Sequence, residues 1–115
     1  IRQRIAQAWS GLRVMRYNAL RMLAANLGAR LQREALIYKY YWSNWHRDLG
    51  KLAMDVLGAQ GDVIAKDDPV RRLQQVFFFS RADTIYAGTN EIQLNLIAER
   101  GLNMPREARG EAVKS

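Results

Sequence analysis

The chain has 115 residues, a net charge of +7 and no cysteine. This is one domain's worth of polypeptide with an ordinary apolar content, and it excludes disulfides and cysteine-based metal sites. No apolar stretch reaches the roughly 20 residues of a membrane span before Arg, Lys or Asp interrupts it, and nothing at the N-terminus resembles a signal peptide.

The first predicted element, Ile1 to Asn26, carries apolar residues at Ile1, Ile5, Ala8, Leu12, Met15, Ala19 and Met22. Steps of four and three place them on one helical face, and Gly28 is suited to end the helix. The start at Ile1, already inside a helical pattern, reads as a piece of a longer chain. The second element, Ala29 to Leu57, steps through Leu31, Ala35, Tyr38, Trp42, Trp45, Leu49, Leu52 and Val56. Tyr40 and Tyr41 add aromatic bulk off that stripe, so this helix is expected to be buried on more than one side, one of them against another subunit or domain.

Gly58, Gly61 and the polar run to Asp68 predict a loop, and Asp68-Pro69 a helix start. A shorter helix follows to about Arg81. Its three adjacent residues Phe77, Phe78 and Phe79 cannot share one helical face, so at least one reaches a second surface. Gly88-Thr89 opens the fourth helix, with Thr89 as N-cap, Glu91 near the positive end of the dipole, and Ile92, Leu96 and Ile97 on its apolar face. Gly101 closes it. Four helices with short connections predict an all-α, up-down four-helix bundle over residues 1–104, with a polar tail over 105–115.

The positive charge lies along two helices (Arg2, Arg4, Arg13, Arg16, Arg21, Arg30, Arg33, Lys39, Arg47) and not in a block. Such a spread suits a solvated face or an anionic partner, such as a nucleotide cofactor, a CoA tail or an acidic subunit. No element reads as a recognition helix, and no nucleic-acid partner is expected. The lack of cysteine fits a reducing, cytoplasmic setting.

The stretch Arg81-Ala-Asp-Thr-Ile-Tyr-Ala-Gly-Thr-Asn-Glu-Ile-Gln93, continuing through Leu96-Ile97-Ala98-Glu99-Arg100 to Met104-Pro105-Arg106-Glu107, resembles the C-terminal signature of the acyl-CoA dehydrogenases. Upstream, Ala53 to Gly61 and then Asp68-Pro-Val-Arg-Arg-Leu73 are similar to the loop and helix before that signature. The resemblance implies the family's C-terminal helical bundle, without its N-terminal helical and middle β domains. It implies FAD as cofactor, an acyl-CoA thioester as substrate, an electron-transfer flavoprotein as acceptor, and homo- or hetero-oligomers formed through the bundle.

Residue by residue, the resemblance places Gly88 near the thioester and Thr89, Asn90 and Glu91 on FAD. Gly58 and Ala59 match the turn that approaches FAD, and Tyr86 is expected to line the pocket. A glycine beside a helix start has its own physical logic, since the bare backbone and free N–H groups admit a negatively charged ligand. Thr89 as a simple N-cap explains the local sequence equally well. The chain departs from the pattern at Ala87, where many members carry the glutamate that accepts the α-proton. It departs also at Asp55, where many have a glutamine for the cofactor across the dimer, and at Leu94, in place of arginine. No catalytic residue is therefore assigned, and the piece alone is expected to be inactive. A non-catalytic partner subunit of a heteromeric enzyme is the alternative.

Asp83 reads as a solvated side chain. His46, with Asp48 close in sequence, reads as a polar residue of the second helix, and Trp42 and Trp45 as core or interface. A lone histidine makes neither a metal site nor a triad.

Overall fold

The computed structural model describes residues 1–25, 33–66 and 68–106. It contains α1 (Arg2–Ala25), α2 (Arg33–Leu57), a 3₁₀ turn (Gly58–Asp62), α3 (Asp68–Ala82), α4 (Asn90–Leu96) and a π-helical turn (Ile97–Gly101). The fold is all-α, with four helices and no strand among the described residues, as the spacing of apolar side chains predicts. The helix end at Gly28, the stripe position Leu31 and residues 107–115 of the tail lie outside the described residues.

α2 is the hub. α1, α3 and α4 all pack on it, and among the described elements α1 touches neither α3 nor α4. α1 runs antiparallel to α2. Arg4 pairs with Asp55 at 2.5 Å, the Trp45 indole N–H donates to the Ala8 carbonyl at 2.9 Å, and Arg21 pairs with Glu34 at 2.8 Å. α3 is antiparallel to α2 as well, and α4 continues along α2 beyond the point where α3 leaves it, so that Gly101 lies against Leu36.

The fourth predicted helix is a composite. Seven α-helical residues give way at Ile97 to a wider turn, in which the Leu102 N–H donates five residues back to the Ile97 carbonyl at 3.0 Å. Such π-turns recur at functional sites, and no sequence spacing announces this one.

The buried apolar core is small: Met15, Leu52 and Ala53. Among the described residues five polar side chains are also buried, namely Ser43, Gln74, Ser80, Asp83 and Gln93. Meanwhile α1 exposes Ile5, Trp9, Val14, Tyr17, Leu20 and Leu23, and α3 exposes Phe78 and Phe79. A large exposed apolar surface on one domain marks an interaction surface.

Gln74 of α3 secures the loop after α2. Its amide group donates to the Gly61 and Val63 carbonyls at 3.0 and 2.7 Å, and its oxygen accepts from the Ala65 N–H at 3.2 Å.

Candidate functional site

A second stripe on α2, Lys39, Ser43, His46 and Gly50, steps by four, three and four and faces α3 and the turn that follows it. Gly50 permits a close crossing, because a side chain there would meet Ser80 Oγ and the Phe77 backbone. One turn along α2 from this contact, and one residue past the end of α3, His46 Nδ1 meets Asp83 Oδ2. The carboxylate of Asp83 is entirely shielded from solvent. The expectation of a solvated Asp83 is corrected here: the close crossing draws it under α2, where His46 partners it. His46 is likewise more than a polar surface residue, and its neighbour Asp48 pairs with Lys51 at 3.2 Å.

Asp83 Oδ1 accepts the Tyr86 hydroxyl at 2.7 Å. This hydrogen bond, then burial and the negative charge of Asp83, push the Tyr86 phenol above its ordinary pKa. The Lys39 ammonium donates to the carbonyls of Asp83 and Gly88, the latter at 3.4 Å, and lies 5.5 Å from the centroid of the Tyr86 ring. On the other side the buried Gln93 amide donates to the Ala87 carbonyl at 3.1 Å.

These contacts hold an unusual backbone. Ala87 has φ 53° and Gly88 φ 93°, two successive residues in the left-handed half of conformational space. For Ala87 this costs about 1 kcal/mol, which the bonds from Lys39 and Gln93 offset. The turn then delivers Thr89, whose hydroxyl accepts the Ile92 N–H at 3.4 Å as the N-cap of α4. Glu91, next on the helix, is held below the usual carboxylate pKa by its own backbone N–H and by the Thr89 hydroxyl.

Asn90 bridges back to α2 by donating to Asn44 Oδ1 at 3.0 Å. Its own Oδ1 is buried and has no partner among the described residues. Leaving such an acceptor unmet costs about 1–3 kcal/mol, so it is suited to meet a donor from a ligand.

Tyr86, Gly88, Thr89, Asn90 and Glu91 therefore form one continuous, anchored segment. Gly58 and Ala59 do not join it. They sit exposed on the 3₁₀ turn beyond the C-terminus of α2, about 20 Å along that helix from Asn44. Asp55, at the departure noted in the sequence, is engaged by Arg4. Trp42 and Trp45 are half-buried, and both rings stack near that of His46, at 6.1 and 6.3 Å between ring centroids. Sequence reasoning missed Lys39, Asn44, His46, Asp83 and Gln93. The four-three-four spacing of Lys39, Ser43, His46 and Gly50 was the available signal. No group of side chains suited to a metal ion occurs among the described residues.

Known proteins resemble the chain in sequence. Residues 1–102 match the family described as acyl-CoA dehydrogenase, C-terminal domain. The chain is 48% identical over 112 residues to the acyl-CoA dehydrogenase IpdE1 of Mycobacterium tuberculosis, covering 96% of this chain and 28% of that protein. It is 46% identical over 110 residues to the protein of the same name from Mycolicibacterium smegmatis, covering 96% and 27% respectively. The chain thus spans little more than a quarter of the length of these relatives. No solved structure matches it. With a family match over nearly its whole length and a glycine-threonine turn anchored where the signature lies, the chain belongs to the acyl-CoA dehydrogenase family, as its C-terminal domain.

Proposed function

We propose that this domain works within an FAD-dependent enzyme that desaturates an acyl-CoA thioester between its α and β carbons. Residues 1–104 act as the bundle and 105–115 as a polar extension. The observation that carries the reading is the anchored turn, where a glycine at positive φ precedes a capped helix start and the unmet acceptor of Asn90. FAD fits these residues, since its hydroxyl and imide groups offer the donor that Asn90 Oδ1 lacks. Thr89, Asn90 and Glu91 hold the flavin, while Gly88 and Tyr86 line the space for the thioester. Gly58 and Ala59, at the far end of α2, match the turn that would approach FAD in the family. When bound, FAD supplies the acceptor for the hydride, and an electron-transfer flavoprotein reoxidises it.

We assign no base for the α-proton among the described residues. Ala87 offers a methyl group, and both oxygens of Asp83 are engaged inside the protein. The proton acceptor belongs to another part of a longer, cytoplasmic enzyme, and the exposed faces of α1 and α3 form its oligomer interface. Ala87 also supports a second reading, in which the chain belongs to a non-catalytic subunit paired with a catalytic one.

The test is a visible absorption titration with FAD and then acyl-CoA, run on the 115-residue chain and on the full-length protein that carries it. The expected result is flavin retention and bleaching in the full-length protein and neither in the chain alone. Bleaching by the chain alone would sink the claim that it lacks a base. Bleaching of the full-length protein only after a second subunit is added selects the partner-subunit reading.

A further inference from the structure

Asp83 lies between His46, which the reaction as proposed does not use, and Tyr86, which lines the proposed thioester space. Its carboxylate is wholly buried, Oδ2 is held by His46 Nδ1 from α2, and Oδ1 receives the Tyr86 hydroxyl. A buried anion is tolerated only when paired and hydrogen-bonded. With the carboxylate as acceptor, Nδ1 of His46 is the donor of this bond. The imidazole is fixed in turn. Trp42 and Trp45 stack against it on α2, and its exposed edge opens on a groove of about 890 Å³ lined by Arg72, Gln75, Val76, Phe78 and Phe79 of α3. His46 cannot rotate away without leaving Asp83 uncompensated.

Tyr86 immediately precedes Ala87 and Gly88, and its ring is partly open to solvent while its hydroxyl is tied inward. Rotation of this ring is therefore set by a bond to a carboxylate that α2 positions from 37 residues away. The charged groups packed around the same turn are Lys39 of α2 and Arg81 of α3. Lys39 is committed to backbone carbonyls, and Arg81 to the Arg47 carbonyl at 2.5 Å and the face of Phe77. Neither replaces His46 at Oδ2.

We propose that His46, acting through Asp83, is a positioning residue for the flavin and thioester site: it fixes the Tyr86 ring and, with it, the Ala87–Gly88 turn. The inference rests on the flavin reading given above. His46 touches no ligand in this scheme, and its effect travels through one carboxylate.

The experiment uses the full-length protein that carries this domain, with FAD alone as probe. FAD affinity is read by quenching of flavin fluorescence, and the environment of the ring by the shape of its visible absorption band. His46→Leu keeps bulk but removes the donor, and His46→Asn restores an N–H near the position of Nδ1. Small displacements of a supporting group cost up to about a hundredfold, so His46→Leu and Tyr86→Phe are each expected to weaken FAD by about tenfold and to alter the band. His46→Asn is expected to stay within about threefold of wild type. Because the two side chains act through one carboxylate, the double variant His46→Leu/Tyr86→Phe is expected to be no weaker than the weaker single variant.

A folded His46→Leu with wild-type affinity, or a double variant whose losses multiply, overturns the proposal. If His46→Leu does not fold, the other two single variants decide: wild-type affinity in Tyr86→Phe, or a tenfold loss in His46→Asn, overturns it. A wild-type protein that binds no FAD overturns the flavin reading and this inference with it. FAD binding that is indifferent to these substitutions overturns this inference alone.

Discussion

Gly50 and Ser80 meet where α2 crosses α3: a Cβ on Gly50 would stand 2.5 Å from Ser80 Oγ and 3.0 Å from the Phe77 Cα. The second contact is backbone and cannot swing aside. The crossing sets how near His46 and Asp83 come to each other, so the geometry of the site begins at a glycine.

The substitution Gly50→Ala tests this. In an open helix it would stabilise by about 1 kcal/mol through propensity. At this crossing, overpacking costs about 1–3 kcal/mol, and a net loss of about 1 kcal/mol is expected. Urea unfolding of the 115-residue chain reads the difference, and a raised midpoint would show that the helices are not in close contact.

Asp83→Ala leaves the His46 and Tyr86 donors without their acceptor and opens a small polar void. Breaking a buried pair costs about 3–5 kcal/mol. His46 is partly exposed, at 20%, so water takes up some of the loss and about 2–3 kcal/mol is expected, again relative to that range. Thermal unfolding of the same chain reads it. A melting temperature within a degree of wild type would mean that the carboxylate is not held as described.

Much of the fold was legible because burial of an apolar stripe imposes a helical period. The steps from Ile1 to Met22 and from Ala35 to Val56 marked α1 and α2, and Asp68-Pro69 marked the start of α3. The segment from Tyr86 to Glu91 was legible through its signature and through the N-cap chemistry of Thr89. What anchors it was not. Lys39 and Gln93 bind backbone carbonyls and Asn44 accepts from Asn90, and such bonds leave no apolar period. Asp83 looked like a surface acid because its burial depends on a helix that lies far from it in sequence, with His46 37 residues away. The π-helical turn after Leu96 lies against α2 near Leu36, a contact that no local pattern encodes.

Tyr86 gives a prediction in pH. Its phenol is pushed up, first by the hydrogen bond to Asp83 and then by burial and the charge of Asp83. Its folded pKa lies above its unfolded one, so the stability it contributes is complete below the ordinary phenol pKa. That stability is lost as pH rises through the folded value. Spectrophotometric titration of phenolate should show one of the five tyrosines ionising late, and Tyr86→Phe should remove that component. If the late component survives the substitution, the Tyr86–Asp83 bond is not the cause.

Glu91 runs the opposite way. Its carboxylate is held low by its own N–H and by the Thr89 hydroxyl, so its contribution is present above the unfolded carboxylate pKa and lost as pH falls through the folded one. Thr89→Ala removes the N-cap and that hydroxyl together, with an expected loss of about 1 kcal/mol and an upward move of the Glu91 pKa in an NMR titration. Thr89→Ser should preserve both. A Glu91 titration unchanged in Thr89→Ala would place its stabilisation on the backbone alone.

Ala87→Glu asks where the proton acceptor lies. Ala87 is exposed and already left-handed, so glutamate meets the same backbone strain that alanine bears and the fold should survive. The native Asp83 cannot stand in, since both of its oxygens are engaged. If the longer enzyme keeps its base elsewhere, wild type turns over acyl-CoA and the new carboxylate adds nothing to kcat. If the chain belongs to a subunit without a base, wild type is silent, and Ala87→Glu is expected to raise turnover by about 10²–10⁴-fold, the usual worth of a positioned general base. Stopped-flow bleaching of the flavin distinguishes the two, and an active wild type removes the partner-subunit reading.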